Sequence, residues 1–212
     1  MMTIHPLGDS AFVLRNLDQP AWELADALNA HPPPGLIEAV PAYETVGLYV
    51  HPEDFALDIE ALSGLKPVER SVVIHRVPVC YEQGPDFAEA ARALGVSESE
   101  LVSLHTGSTY TCFALGFCPG FPYLGYLDPR ISGLPRRSNP RLKVPRGAIA
   151  ITGRQTAIYP AETPGGWNLI GLTPLEIVGE DYFPIKAGDQ INFYSISAAE
   201  YRKMEGERIE KN

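Results

Sequence analysis

Glycine and proline are so frequent in the second half of the chain that no long helix fits there. They make up 18 of the 59 residues from 116 to 174, and proline cannot donate the backbone hydrogen bond that a helix or a central strand requires. Aliphatic and aromatic residues nevertheless continue between these breaks, in segments such as AIAITGRQTAIY and NLIGLTPLEIV. Short strands joined by tight turns satisfy both observations, so the region is predicted to form a β-barrel or a β-sandwich.

The first 75 residues have a more regular pattern, in which helical and strand-like stretches alternate. Residues 20–30 and 52–65 are predicted helices, and AFVLR, LIEAVPAY, TVGLYV and RSVVIHRVPVCY are predicted strands. This order, β-α-β-β-α-β, predicts a split βαβ module. The chain is therefore predicted to be an α+β protein with an α/β domain at 1–75, a β-barrel domain at 76–199 and a frayed, charged C-terminal tail at 200–212.

Composition excludes several functional classes. The formal charge of -9 disfavours nucleic-acid binding, which depends on neutralising phosphates. No apolar run reaches the roughly 20 residues that cross a bilayer, and the first ten residues lack the basic and apolar parts of a secretory signal, so we expect a cytoplasmic protein without membrane contact. Three cysteines without an export signal predict free thiols, and five scattered histidines predict no metal site.

Positive charge is concentrated in one part of this acidic chain. Residues 129 to 161 contain no Asp or Glu, yet they hold seven of the 17 cations. These cations are Arg130, Arg136, Arg137, Arg141, Lys143, Arg146 and Arg154. Such a segment focuses a positive potential that suits a carboxylate, a phosphate or an acidic partner. The alternative is that each cation pairs with an acid elsewhere or lies in solvent, and the sequence alone leaves both interpretations open.

An aromatic loop, GFCPGFPYLG, precedes the acid-free segment. Its candidate pocket or partner-contact residues are Phe117, Pro119, Gly120, Phe121 and Tyr123. Glycine and proline fix a backbone path that few other residues adopt. The aromatic side chains either border a ligand pocket or fill one end of the barrel, and both interpretations stay open.

Polar side chains follow at GRQTAIYP and beyond. Gln155, Thr156, Tyr159 and Glu162 offer amide, hydroxyl, phenol and carboxylate groups, which together suit a planar amide ligand. A Gly-Gly pair then permits close backbone approach before Trp167. The alternative interpretation is a polar hairpin followed by a core tryptophan.

His105 lies at a predicted junction of helix and strand and is a candidate for proton transfer, although a lone histidine is more often structural. The sequence contains no GxxxxGK[ST] phosphate loop, no GxGxxG after a strand and no GxSxG elbow. Neither a nucleotide site nor a serine triad is therefore indicated.

Longer motifs occur in order between about residue 8 and residue 194: GDSAFVL, VPAYETVGLYV, PVCYEQGPDF, LGFCPGFPYLG, PRLKVPRGAIAITGRQTAIYP and ETPGGWNLIGLTP. Together they resemble the family that contains the B subunit of 5-oxoprolinase, allophanate hydrolase subunit 1 and the kinase inhibitor KipI. The resemblance implies an N-terminal α/β domain followed by a cyclophilin-like β-barrel. Cys118 and Ala161 depart from the family pattern, in which a small alanine and an aromatic residue are usual at these positions.

The resemblance also implies a function. Similar proteins act with a homologous C subunit, which resembles allophanate hydrolase subunit 2, and with the A subunit of 5-oxoprolinase, and the complex uses ATP to open 5-oxoproline to glutamate. On this hypothesis the side chains that hold a carboxylate or phosphoryl oxygen are Arg141, Lys143, Arg146 and Arg154. Those that bind the rest of the amide substrate are Gln155, Thr156, Tyr159 and Trp167. Protons are moved by Glu162 or His105.

The resemblance implies further that ATP is bound by the complex and not by a motif of this chain, so the isolated chain is expected to be inactive. Two alternatives stay open within the family. One is a KipI-like regulator that inhibits a sensor histidine kinase, and the other is one half of a carboxyltransferase of the urea carboxylase type.

Overall fold

An antiparallel four-stranded sheet forms the first unit of the chain. The computed structural model describes residues 1–55, 65 and 68–209, and the chain divides into two units between Ser71 and Val72. The strands of the first unit are β1 (Thr3–Pro6), β2 (Ala11–Arg15), β3 (Leu36–Ala42) and β4 (Thr45–Val50). They are ordered β1-β2-β4-β3, and every pairing is antiparallel.

Helix α1 (Ala21–Ala30) packs on this sheet. Leu24 and Leu28 lie one turn apart, so both point to the same face and are buried with apolar side chains of β2 and β4. The Asn29 side chain donates to the carbonyl of Ala39 and accepts from its N–H, each at 2.8 Å, which fixes the helix to β3. The second predicted helix, 52–65, lies mostly outside the described residues.

The second unit contains a seven-stranded sheet that nearly closes into a barrel. Its strands, in spatial order, are β12 (Asn168–Leu172), β9 (Ala148–Thr152), β10 (Gln155–Ile158), β7 (Pro122–Gly125), β6 (Thr109–Leu115), β13 (Gln190–Ser195) and β5 (Ile74–Val79). The two outer strands meet where Cys80 and Leu172 exchange backbone hydrogen bonds of 2.8 and 3.1 Å. The predicted α+β class with a β-barrel in the second half is confirmed.

The remaining elements surround this sheet. A two-stranded ribbon pairs β8 (Arg141–Val144) with β11 (Thr163–Gly165). The helices are α2 (Phe87–Leu94), α3 (Glu98–Thr106) and α4 (Ala198–Met204). Helix α3 begins at a complete capping box of Ser97 and Glu100, as the sequence predicts. None of the helices in the described part of the chain has the length and apolarity that crossing a bilayer requires.

Strands β9 and β10 are buried on both faces. Along β9, Ile149 and Ile151 join the larger core, whereas Ala148 and Ala150 join a second apolar cluster. This alternation is the two-residue period of a strand. The small alanine side chains leave room for larger aromatic residues on their face, and that face carries the candidate site.

The strand predicted within RSVVIHRVPVCY was placed in the first domain, but β5 belongs to the second unit, where it pairs in parallel with β13. A partner more than 100 residues away leaves no trace in the local pattern.

The tail from residue 200 is not frayed over its described part. Helix α4 begins at a second capping box, formed by Ser197 and Glu200. Ile209 is 3% exposed, and its carbonyl accepts a hydrogen bond from the Tyr182 hydroxyl. The charged side chains of this segment therefore face solvent from an ordered helix. The number of charges alone did not indicate whether the segment is frayed.

Candidate functional site

The cations of the acid-free segment do not converge on one anion. Lys143 Nζ lies 2.9 Å from Glu162 Oε1, with both side chains exposed. Arg146 Nη1 lies 3.3 Å from one oxygen of Glu176, and Arg208 Nε lies 3.2 Å from the other. Arg141, Lys143 and Arg146 pair with three different acids and Arg154 with an aromatic ring, so the structure does not bring these four predicted cations together.

Arg154 and Arg130 also have partners of their own. The Arg154 guanidinium lies 4.2 Å from the centre of the Tyr126 ring, which is within cation–π range. Arg130 Nε lies 3.1 Å from Asp128 Oδ1. Each guanidinium is thus held by its own neighbour rather than by a common site.

Two of the arginines meet at Asp86, a residue that the sequence interpretation missed. Asp86 Oδ1 accepts hydrogen bonds from Arg137 Nη1 at 3.0 Å and Arg141 Nη2 at 2.6 Å, and Oδ2 accepts from the Leu169 N–H at 2.8 Å. Asp86 is 2% exposed. Arg141 Nη1 is buried without a hydrogen-bond partner among the described residues. The cluster therefore fixes structure, and its only sequence signal is an acid directly before a helix.

Arg136 differs from the other six cations. Its side chain is exposed and makes no hydrogen bond or ion pair with the residues that the structure describes. The adjacent backbone is fixed, because the Arg137 N–H donates to the Gly166 carbonyl at 2.7 Å. In the sequence Arg136 is only one of seven cations, because the acids that pair with five of the others lie outside the acid-free segment.

His105 is a core residue. It is fully buried, and its ring nitrogens contact the Tyr81 hydroxyl at 2.6 Å and the Thr156 hydroxyl at 3.0 Å. The ring stacks on Phe193 with 4.7 Å between centroids. Burial lowers the pKa of His105 to about 3, so the imidazole is neutral at pH 7. Without access to solvent or substrate, His105 does not support the predicted proton transfer.

Strand β10 separates the polar candidates onto two faces. Thr156 points to the core with His105, while Gln155 and Tyr159 lie at positions of the opposite parity and share the other face. Four residues along a strand span about 13 Å, so the two side chains lie far apart on this face. Thr156 is fully buried and belongs to the core.

Five aromatic rings pack against one another in a cluster, which we call the aromatic face: Phe117, Phe121, Tyr123, Tyr159 and Trp167. Phe121 is at its centre, with ring centroids 4.9 Å from Tyr123, 5.1 Å from Tyr159 and 5.8 Å from Trp167, all edge to face. Phe121, Tyr159 and Trp167 are 2%, 1% and 4% exposed, whereas Phe117 is 62% exposed. Phe121 therefore fills the core, as one of the two interpretations of the loop predicts, and Phe117 faces solvent.

The loop backbone is held in one path by two left-handed residues. Phe117 has φ +69° and Gly120 has φ +75°, and a Cβ on Gly120 would clash with the Val178 side chain. Pro119 lies between them. Phe117 is therefore presented to solvent by a turn that substitutions at Gly120 would disrupt.

Two phenols and a thiol of this loop region have raised pKa values. Burial raises the pKa of the Tyr123 and Tyr159 phenols, and the positive charge of Arg136 acts in the opposite direction on both. Burial also raises the pKa of the Cys118 thiol. All three groups are therefore protonated and neutral at pH 7.

A groove of about 370 Å³ begins at Arg136. It is lined by Glu89, Ala90, Ala93, Leu134, Pro135, Arg136, Arg137, Ser138, Asn139 and Asn168. The Asn168 amide nitrogen donates to the carbonyls of Pro135 and Ile151 at 3.0 and 3.2 Å, so this wall is fixed before any ligand arrives. Its volume falls within the range of small-molecule sites.

The described residues include no group of three or more His, Cys, Asp or Glu side chains placed to hold a metal ion. Cys80, Cys112 and Cys118 are free thiols, and the first two are buried. The chemistry that this site offers is accordingly that of hydrogen-bond donors and one free cation.

The fold of the chain recurs as one part of a larger solved protein. The chain superposes on part of the Kluyveromyces lactis urea amidolyase structure with a TM-score of 0.74 at 17% identity, covering 100% of this chain and 16% of that chain. That likeness shows the fold. Residues 2–182 match the family model described as carboxyltransferase domain, subdomain C and D, and the chain belongs to this family.

More similar relatives share most of their length with the chain. It is 36% identical over 227 aligned residues to the B subunit of 5-oxoprolinase from Bacillus subtilis, covering 93% of this chain and 94% of that protein. It is 38% identical over 209 residues to the protein of the same name from Escherichia coli O157:H7, covering 88% and 93%. The family resemblance seen in the motifs is confirmed.

A longer protein contains the same fold as one part. The crystal structure of TTHA0988 matches with a TM-score of 0.77 at 38% identity, covering 89% of this chain. The chain spans 40% of the length of that solved protein.

Proposed function

We propose that the chain is the B subunit of an ATP-dependent 5-oxoprolinase, which opens 5-oxoproline to glutamate together with a homologous C subunit and with the A subunit. The observation that carries this proposal is the similarity to proteins named as the B subunit of 5-oxoprolinase, over about nine tenths of both lengths. Since the reaction consumes ATP, the proposal also places the complex in the cytoplasm.

The chemistry explains why more than one chain is needed. The lactam oxygen attacks the γ-phosphorus of ATP and ADP leaves. One water then adds to the ring carbon, and the C–N bond breaks as the nitrogen takes a proton, which gives an acyl phosphate. A second water releases phosphate and leaves the new carboxylate. This route requires a nucleotide site and stabilisation of anionic intermediates.

The groups offered by this chain suit substrate binding better than phosphoryl transfer. The exposed Phe117, the partly exposed Tyr123 and Gln155, and the groove at Arg136 provide apolar surface, phenol and amide groups and a cation without an ion-pair partner among the described residues. The sequence has no phosphate loop. In this proposal ATP and the phosphoryl group are therefore bound by partner chains, and the isolated chain is inactive.

Of the two candidates for proton transfer, we propose that Glu162 acts as the general acid or base. Its carboxylate is exposed and lies 2.9 Å from Lys143, so both protons and substrate can reach it. His105 is buried and neutral, so we assign no proton transfer to it.

The test is an assay of 5-oxoproline-dependent ATP hydrolysis with this chain, its C and A partners, and each two-component mixture. Turnover only in the three-component mixture is the expected result. Glu162→Gln in the complete mixture should lower kcat by roughly 10-fold to 1,000-fold if Glu162 acts as a general acid or base. Glu82→Gln, which alters an exposed acid outside the groove at Arg136, is the matched control. Turnover by this chain alone, or none in the complete mixture, contradicts the proposal.

One half of a carboxyltransferase is a second candidate, favoured by the description of the matching family model. In that reaction a carboxyl group leaves carboxybiotin and forms a bond to an amide nitrogen, and a proton returns to biotin. Avidin removes biotin from such a system. Inhibition of the complete mixture by avidin would select the carboxyltransferase, whereas unchanged turnover would select the 5-oxoprolinase.

A further inference from the structure

Arg136 is the one cation of the acid-free segment that has no partner among the described residues. Five of the other six pair with carboxylates, and Arg154 lies against an aromatic ring. A segment of seven cations thus reduces to a single guanidinium that is free to bind an external anion. The other six cations already have a carboxylate or an aromatic ring as their partner.

The position of Arg136 is fixed by the backbone around it. The Arg137 N–H donates to the Gly166 carbonyl at 2.7 Å, which joins this stretch to the Gly-Gly pair. A Cβ on the neighbouring Gly165 would clash with the Tyr159 hydroxyl, so the Gly165 backbone runs directly against that phenol. Arg136 is therefore carried by a rigid strip of chain that leads to the aromatic face.

The surroundings of Arg136 suit a small amide that carries a negative charge. The groove that it lines adds the exposed Ser138 and Asn139 side chains. A guanidinium binds a carboxylate through two parallel hydrogen bonds, while hydroxyl and amide groups hydrogen-bond to a lactam. The apolar side of a five-membered ring suits Ala93 and Pro135, which are exposed in the same groove.

We propose that Arg136 binds the carboxylate of the lactam substrate and thereby makes the complex select 5-oxoproline over uncharged amides. This inference rests on the proposed function. It assigns the specificity of the reaction to one residue, whereas the proposed function names only the reaction. A phosphoryl oxygen of the intermediate is the other anion that a guanidinium at this place could bind, and the two are distinguished by the substrate.

The experiment compares 5-oxoproline with 2-pyrrolidinone, the same ring without its carboxylate, in the complete complex of three proteins. Wild type, Arg136→Gln and Arg136→Lys are assayed for kcat and KM with each substrate. Arg130→Gln is the matched control, because Arg130 is an exposed cation of the same segment that pairs with Asp128. Circular dichroism melting of each variant verifies folding, which an exposed side chain should not alter.

The expected result is a change in specificity. Arg136→Gln should raise KM for 5-oxoproline roughly 10-fold to 100-fold, the equivalent of one charged hydrogen-bonded contact, with little change for 2-pyrrolidinone. Arg136→Lys should recover part of the loss, and Arg130→Gln should stay within about twofold of wild type.

The remaining outcomes separate the two proposals. If kcat falls equally with both substrates, Arg136 binds the phosphoryl group and the carboxylate assignment is overturned. If Arg136→Gln behaves as wild type, Arg136 has no role while the proposed function stands. If the wild-type complex does not hydrolyse ATP in response to 5-oxoproline, the proposed function fails and this inference fails with it.

Discussion

Asp86 shows how a single buried carboxylate organises the region next to the candidate site. Arg137, Arg141 and the Leu169 N–H all donate to it. Asp86→Asn removes the negative charge and leaves two guanidinium groups beside a neutral amide. We expect a loss of roughly 2 to 3 kcal/mol in the free energy of unfolding, below the full value for a buried pair because both arginines are partly exposed.

Urea unfolding followed by tryptophan fluorescence measures this loss. Glu89→Gln is the control, since Glu89 also contacts Arg137 but has a 64% exposed side chain, and it should change stability by less than about 1 kcal/mol. Equal effects of the two substitutions would show that Asp86 is not the structural centre of the cluster.

His105 should make stability depend on pH. Its folded pKa is lowered to about 3 by burial, whereas in the unfolded chain it is near 6.5. Between these values the unfolded state binds a proton that the folded state excludes. Stability contributed in this way is complete above the unfolded pKa and is lost as pH falls below it, by at most about 1.4 kcal/mol per pH unit.

The test is the free energy of unfolding of wild type and His105→Gln between about pH 4.5 and 7, a window that spans the titration of the unfolded histidine. The variant should be less stable at pH 7, because the contacts with Tyr81 and Thr156 are altered, yet its stability should fall less steeply with acid. His31→Gln, at an exposed histidine, should keep the wild-type slope. Parallel curves for wild type and His105→Gln would contradict the assignment.

At the scale of elements, the sequence predicts best where the signal is local. Helix α1 follows from the spacing of Leu24 and Leu28, and α3 begins at its predicted capping box. Strand β5 was assigned to the wrong domain because its partner β13 is distant in the chain. The same capping pattern at Ser197 and Glu200 was overlooked because charge density was used to judge the C-terminal segment.

The cap of α4 gives a prediction at this scale. Ser197 Oγ accepts from the Glu200 N–H, and Glu200 accepts from the Ser197 N–H at 2.8 Å. Ser197→Ala removes one half of this arrangement and should destabilise the helix by about 1 kcal/mol. Since α4 has no fully buried residue, the loss should appear as local opening rather than as global unfolding.

Hydrogen exchange measures that opening. A loss of about 1 kcal/mol corresponds to roughly fivefold faster exchange of the α4 amides, with α3 unchanged as the internal control. Ser97→Ala should produce the reciprocal result: the α3 amides should exchange faster, and the exchange rate of the α4 amides should not change. Uniformly faster exchange throughout the second unit would show that the cap stabilises more than its own helix.

At the scale of the whole molecule, the sequence predicted the fold and the location of an aromatic loop, but not the electrostatics of the site. It could count seven cations in an acid-free segment, yet the acids that neutralise them, such as Asp86 and Glu176, lie before or after that segment. Only the folded structure shows which cation lacks an acid partner among the described residues. Thr156 and His105 failed as site residues for the same reason, because strand alternation turns them to the core.

The division between Ser71 and Val72 leads to a prediction about independent folding. We expect residues 72–212 to fold alone, because they retain β5 and its parallel pairing with β13. A chain that starts at residue 76, the boundary predicted from the sequence, lacks His75, which is fully buried 3.2 Å from Asp189. It also lacks the Val73 N–H that donates to the same carboxylate.

Loss of a buried partner of this kind costs about 3 to 5 kcal/mol, so the 76–212 chain should melt roughly 10 °C below the 72–212 chain or fail to fold. His75→Gln in the 72–212 chain separates the two contributions, since it removes the imidazole but keeps the Val73 hydrogen bond and the full length of β5. An intermediate melting temperature is expected. Equal melting temperatures of the 72–212 and 76–212 chains would mean that the first residues of β5 are not needed for stability and that the His75–Asp189 pair does not stabilise the fold.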